Sequence, residues 1–524
     1  MKRMSTAALT VELPEDVEQL VFKLRQRIDY QESIIGTLHD EIALLKKRIF
    51  AQSSERFTED KGQLKLAFDE AEATADESAE ESEDESEEIT CRRRRKGRKP
   101  IAPHIPREEV IHEIEDEGKN CPHCDAPRPD LGFEDSEEID YIPAKVVVKK
   151  HRRRKYGACL CRDFGEDESS AQVIIAPKPA RLLPGSIASS GLLSYIMASK
   201  FCDGLPFYRQ SKLLERSDIH ISRVNMANWT IRAASKCERL IELMRTRIRE
   251  GPLVNMDETR VQVLKEPGRK AEENSYMWVC VSSCSQGKIV LYNYSRTRAG
   301  EIPLKLLKGF KGILQTDGYS AYDGAVKAYE LTHIGCLAHV RRRFMDAHTP
   351  NTTSLAKTPL NLFKEIYKVE RELRVRLRKK RITPDQFASL RRKRTKVYWK
   401  TFREWLKDTA PLVPPGTALG KAIHYARNHY TRVIRYLKYP EVTPDNNIAE
   451  NAIRPFVIGR KNWLFCSTPR GAYASAVMYS LTETAKANDL NPQRYLQQVF
   501  ETLPLIAEGD IQSLEKLLPW NIAQ

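Results

Sequence analysis

A chain of 524 residues exceeds what one hydrophobic core can organise, so three or four domains are expected. Apolar residues make up an ordinary 41%. No run of about 18 of them occurs, and the N-terminus turns acidic where a signal peptide would turn apolar. A membrane span and secretion are thereby excluded as readings, and a cytoplasmic protein with reduced cysteines is expected.

The net charge of +15 conceals a segregation, because residues 69–88 carry twelve acidic side chains and no basic one. The remainder holds about +27, a field suited to a polyanion, and nucleic acid is the partner class this implies.

In chain order, Val17, Val21, Leu24, Ile28, Gln31, Ile35, Leu38, Ile42, Leu45 and Ile49 alternate in steps of four and three. The spacing predicts a coiled coil over residues 1–50 that forms a homodimer or higher oligomer. An amphipathic helix packed on its own protein is the competing reading. Residues 51–100 pass through an acidic Ser/Glu/Asp tract that cannot fold alone. They end in a basic arm of Arg92, Arg93, Arg94, Arg95, Lys96, Arg98 and Lys99, a candidate grip on DNA phosphates or a solvated linker.

Residues 101–165 hold Cys121 and Cys124 in CPHC, and Cys159 and Cys161 in CLC, with a strand-like stretch between the pairs. Four thiolates on tight turns suit a structural zinc ion in a ribbon. Buried cysteines without metal are the alternative. Residues 166–250 read as helices, and Leu205–Glu215, a turn at 217–221 and Ser222–Ala234 are compatible with a helix-turn-helix.

From 251 the period becomes that of strands. LVNMDETRVQVL, YMWVCVSSC and KIVLYNYS suggest an antiparallel meander, and GILQTDGYSAYDG and LTHIGCLAHV suggest alternating α and β elements. Residues 251–340 are the first part of a catalytic core on this reading, and 341–440 a helical insertion. Residues 441–474 are the second part of the core, and 475–524 a helical tail. Within 371–400 there are thirteen Lys/Arg against two acidic residues, a surface that could hold flanking DNA.

Three carboxylates stand out by context. Asp257 lies in a β run that sends it and Glu258 to opposite faces. Asp317 ends another β run before Gly318. Glu450 begins a helix capped by Asp445 or Asn446 and shares a polar face with Asn447, Asn451 and Arg454. Carboxylates meeting from two strands and a helix would repel unless cations neutralised them. Their hard oxygens suit two magnesium or manganese ions about 4 Å apart, which activate the attacking oxygen and stabilise the leaving one. A solvated role for each is the bland reading.

The strings MDET, QTDGYSAYDG, IGCLAHVRRRF and NNIAENAIRPFVIGRKNWLF, in this order, resemble the catalytic region of the insertion-sequence-66 family of bacterial transposases. The resemblance spans nearly the whole chain. It implies a multidomain protein: N-terminal coiled coil, zinc ribbon, helical DNA-binding region, and an α/β ribonuclease-H-like catalytic domain with a helical insertion. It further implies Asp257, Asp317 and Glu450 as the metal-binding DDE triad, Arg454 and Lys461 as DNA contacts, and His339 and Arg342 as neighbours of the site. The second cysteine pair is one residue shorter than the family's, and Asn451 stands where the family commonly has Arg.

The implied activity is cutting and joining of element ends and target DNA by phosphoryl transfer, with accessory proteins of the same element as possible partners and nucleoid association when bound. A non-catalytic DNA-binding regulator is the first rival. The second, a zinc hydrolase, is disfavoured because four thiolates leave no open coordination position.

Overall fold

The computed structural model describes residues 15–50, 147–152, 155–156, 174–175 and 178–522, apart from 285 and 349–353. The basic arm 92–99 and the four cysteines Cys121, Cys124, Cys159 and Cys161 lie outside the described residues. Among the described residues no helix is long and apolar enough to cross a membrane.

Helix α1 (Glu15–Phe50) carries the heptad seam. Among the described seam residues, Val17, Leu24, Ile28, Ile35, Leu38 and Ile42 are exposed on the single chain and Val21 is half-buried. A two-residue antiparallel pair follows, β1 (Lys155–Tyr156) with β2 (Ile174–Ile175). Four helices come next: α2 (Ser190–Phe201), α3 (Phe207–Glu215), α4 (Arg223–Lys236) and α5 (Glu238–Ile248). Ser189 and Ser222 cap α2 and α4 by accepting the backbone N–H three residues on. The turn between α3 and α4 includes Asp218 at φ 58°. The four helices bury Ile196, Met226, Trp229 and Met244 in the same cluster as the sheet that follows.

That sheet has five strands: β3 (Leu253–Gln262), β4 (Asn274–Ser283), β5 (Lys288–Ser295), β6 (Ile313–Gln315) and β7 (Thr332–Ile334). Their order is β5-β4-β3-β6-β7. The three long strands are an antiparallel meander, whereas β6 joins β3, and β7 joins β6, in parallel. Parallel pairing demands crossovers. These are α6 (Glu301–Leu306) between β5 and β6 and α7 (Tyr322–Ala328) between β6 and β7. β4 is buried almost along its length, as a strand covered on both faces must be.

Residues 475–522 are largely helical, and their first helix packs on the sheet. Helix α13 (Pro469–Ala487) runs across the expected boundary at 474, and every residue from Ala474 to Ala485 is buried. It lies along the open edge of β5. Ser480 Oγ accepts the Tyr292 N–H at 2.8 Å, and Thr484 Oγ1 accepts the Val290 N–H at 3.1 Å and donates to the Val290 carbonyl at 2.9 Å. Asn488 Oδ1 accepts the Lys288 N–H at 3.0 Å. Four helical residues rise about 6 Å and two strand residues about 6.6 Å, so one helix face matches alternate strand residues in step. The edge that would otherwise recruit another strand is thus closed by side chains. Helix α14 (Pro492–Thr502) packs on α13 and α2, and the short α15 (Ile511–Glu515) follows.

Between β7 and the helix that carries Glu450 lie α8 (Leu337–Ala347), α9 (Lys357–Arg378), α10 (Pro384–Thr409) and α11 (Ala418–Ile434). Phe344, Phe363, Trp399 and Phe402 form their core, which reaches Ile313 and Ile334 of the sheet. Thr383 and Gln386 close a capping box at the start of α10. The basic stretch is not wholly a surface. Arg391 is fully buried; it donates to the carbonyls of Val442 at 3.0 Å, Tyr436 at 2.6 Å and Tyr439 at 2.7 Å, and pairs with Glu370. Those carbonyls belong to the segment leading into α12 (Asn447–Trp463), which packs on β3 and β4.

Candidate active site

Asp257, Asp317 and Glu450 are brought together by three adjoining elements. β3 and β6 are parallel neighbours with Asn255 opposite Gln315. Asp257 stands two residues beyond Asn255, and Asp317 two beyond Gln315, so both carboxylates lie toward the same end of the sheet. The N-terminus of α12 reaches that end as well. Asn446 Oδ1 accepts from Asn255 Nδ2 at 2.9 Å, and Glu450 follows one turn later. Asn446 holds the N-cap position without a side-chain cap bond, and Asp445 just before it accepts the Asn447 N–H at 3.2 Å through Oδ1.

The electrostatics record the convergence. Burial pushes the Asp257 carboxyl well above its ordinary 3.8, and the negative charges of Glu258, Glu450 and Asp317 push it further. The Glu258 N–H donates to Asp257 Oδ1 at 2.9 Å and partly offsets the rise. Asp317 Oδ1 accepts the Tyr319 N–H at 2.9 Å, which fixes the turn after β6. Gly318 in that turn faces α11 closely. A Cβ there would meet Tyr425 Oη at 2.5 Å and His429 Nε2 at 2.8 Å.

Glu258, on the opposite side of β3, is also buried. Arg298 Nε donates to its Oε1 at 2.8 Å, and the Tyr322 hydroxyl donates to its Oε2. Burial and Asp317 raise its carboxyl, while Arg298 and Tyr322 oppose that rise. The Arg298 guanidinium lies 3.8 Å from the centre of the Tyr319 ring, so Glu258, Arg298 and the Asp317 turn form one connected group. Alternation in the sequence put Glu258 on the far face but gave no sign of this pairing.

His339 and Arg342 of α8 flank Glu450. Arg342 Nη2 lies 3.6 Å from Glu450 Oε2, and His339 Nδ1 lies 3.4 Å from Glu450 Oε1. Burial lowers the His339 pKa to about 4, so at neutral pH the imidazole is uncharged and its approach to Glu450 is not an ion pair. Cys336, His339 and Glu450 present ligand atoms within 4.8 Å of one another. Burial and Glu450 hold the Cys336 thiol well above its usual range, so it stays protonated.

The remaining predicted contacts are spread along α12. Arg454 is half-buried one turn past Glu450. Lys461 is exposed and about 16 Å along the axis from Glu450, at 1.5 Å per residue. It lies away from the carboxylates.

A mixed sheet with carboxylates gathered at the end of its parallel strands, under a packed helix, defines the class as an α/β protein with an acidic site. Family comparison narrows the class. The model described as "Transposase IS66 family" matches residues 185–474, and "IS66 C-terminal element" matches 480–520. The model "zinc-finger binding domain of transposase IS66" matches 119–162, which contains all four cysteines. "Transposase C of IS166 homeodomain" matches 37–110. The chain belongs to the IS66 transposase family.

Among curated proteins, the chain is similar to "Uncharacterized protein y4jD" of Sinorhizobium fredii, 30% identical over 97% of each chain. It is also similar to "Uncharacterized protein y4qI" of the same organism, 31% identical over 88% of this chain and 83% of that one.

Proposed function

We propose that this protein is an active DNA transposase that cuts and joins the ends of an insertion sequence, with Asp257, Asp317 and Glu450 as its catalytic carboxylates. The observation that carries the proposal is the placement of Asp257 on β3, Asp317 just past its parallel neighbour β6 and Glu450 on α12 toward one end of the sheet, where burial first, and then the charges of Glu258, Glu450 and Asp317, raise the Asp257 carboxyl. A regulator that only binds DNA gains nothing from such a costly cluster. The strand order β5-β4-β3-β6-β7, with its three antiparallel and two parallel members, supports a ribonuclease-H-like reading of the domain.

The donor set fits divalent metal. All three groups offer hard oxygen atoms, and a cation would relieve the repulsion that burial magnifies. Bound magnesium or manganese would supply charge to the attacking and leaving oxygens of a scissile phosphate. The protein's own residues do the positioning. Arg342 steadies Glu450, and neutral His339 adds a dipole beside it without competing as a cation. Arg298 and Tyr322 keep Glu258 compensated, so that it braces β3 and the Asp317 turn.

Other parts of the chain serve assembly and DNA holding in this proposal. The exposed seam of α1 pairs with a second copy. The cysteines of 119–162 hold a structural zinc ion. The arm 92–99, Arg454 and Lys461 contact phosphate.

Incubating the protein with labelled element-end DNA in magnesium tests the reading. Strand cleavage that chelator abolishes is expected, and binding without any cleavage would favour the regulator.

A further inference from the structure

Behind the three carboxylates lies a bridge of buried amides. Asn255, Gln315 and Asn446 are 2%, 0% and 1% exposed. Asn255 Nδ2 donates to Gln315 Oε1 at 2.9 Å and to Asn446 Oδ1 at 2.9 Å. Asn446 Nδ2 donates to the Met256 carbonyl at 2.8 Å, and Gln315 Nε2 donates to the Thr443 carbonyl at 2.8 Å. The two backbone carbonyls can only accept, which fixes every amide orientation in the chain of bonds. Each amide stands just upstream of one carboxylate: two residues before Asp257, two before Asp317 and four before Glu450.

We propose that Asn255, Gln315 and Asn446 are positioning residues, a bridge that holds β3, β6 and α12 at the spacing the carboxylates need to share divalent cations. The inference rests on the carboxylate reading above and deepens it. Three like-charged groups in one cluster push apart the elements that carry them, and a hydrophobic contact between those elements could slide. Directed bonds at 2.8–2.9 Å, shielded from water, resist both. A buried network in which each amide nitrogen is bonded and each amide orientation is fixed favours one geometry, and supporting groups of this kind tune the ligands they orient.

The test is manganese binding by the full-length protein without DNA, read from the loss of the free-ion paramagnetic resonance signal. Asn255→Asp keeps shape but turns both bridging donors into acceptors. Gln315→Met keeps length and adds no charge. Each is expected to weaken manganese binding by about tenfold or more, in the range typical of lost supporting groups. For Asn255→Asp the sign is decisive: an added negative charge would by itself tighten cation binding, so weakening reports geometry. Ser480→Ala removes a buried hydrogen bond at the far edge of the sheet and should leave manganese affinity unchanged, which separates positioning from general destabilisation.

Asp257→Asn distinguishes the two levels of the argument. Manganese binding unaffected by Asp257→Asn would overturn the carboxylate reading and the bridge with it. If Asp257→Asn abolishes binding while Asn255→Asp and Gln315→Met bind within twofold of wild type, the bridge alone is overturned.

Discussion

Gly318→Ala is a small change with a large expected consequence. The backbone at 318 is outside the left-handed region, so alanine carries no conformational penalty there and the effect is purely steric. The new methyl would sit 2.5 Å from Tyr425 Oη and 2.8 Å from His429 Nε2. Ordinary carbon contacts begin near 3.4 Å, so the Asp317 turn or α11 must move by up to about 0.9 Å. Both tight contacts are side-chain atoms of α11, and Tyr425 is packed against the aromatic core. Overpacking of this kind costs about 1–3 kcal/mol. A misplacement near 1 Å at a reacting centre costs about a hundredfold in rate. The assays are denaturant unfolding and cleavage of labelled element ends under single-turnover conditions. Tyr425→Phe in the same chain removes the closest atom and should recover part of the loss. Full cleavage by Gly318→Ala, with unfolding shifted as expected, would show that the Asp317 turn is not held to the tolerance argued here.

Further outcomes follow from the charges and the outlying segments. Asp257 has a folded-state pKa above its unfolded 3.8, so its contribution to stability is complete below that value and is lost as pH rises through the folded one. In chelator, Asp257→Asn should therefore gain stability relative to wild type as pH is raised from about 4 toward 8; a parallel pH dependence of the two unfolding curves would refute the raised pKa. Replacing exposed Leu24 and Leu38 with glutamate should convert an oligomer to monomer in light scattering, and an unchanged mass would count against the seam. Elemental analysis should find about one zinc per chain, lost in Cys121→Ser. A zinc-free wild type would reduce the cysteines to thiols.

Much of the domain was legible from period alone. The β-rich runs of 251–340 correspond to β3 through β7, because alternation and β-branched content survive without any knowledge of partners. Convergence was not legible. Asp317 and Glu450 are separated by an insertion whose aromatic core, Trp399 and Phe402 among it, sits inside a stretch that reads as basic surface. Arg391 shows why the reading overreached, since a buried arginine bonded to three carbonyls looks in sequence like any other basic residue.

The docking of helix α13 was not legible either. Its Ser480 and Thr484 face the edge of β5, and polarity alone does not say whether a hydroxyl meets water or backbone. Asn255 and Gln315 stand in β-rich runs, and nothing in the alternation marks them as a bonded pair.

The most direct test of the central claim is Glu450→Gln. The substitution removes one charge from a repelling cluster while preserving volume, so folding and binding to element ends should survive. Cleavage of a labelled end in magnesium should fall by several orders of magnitude, toward the level seen with chelator, because a cation held by the remaining carboxylates would be misplaced. Asp445→Asn, five residues before Glu450 and still able to accept the Asn447 N–H, should cut normally. Near-normal cutting by Glu450→Gln would contradict the three-carboxylate account of this protein.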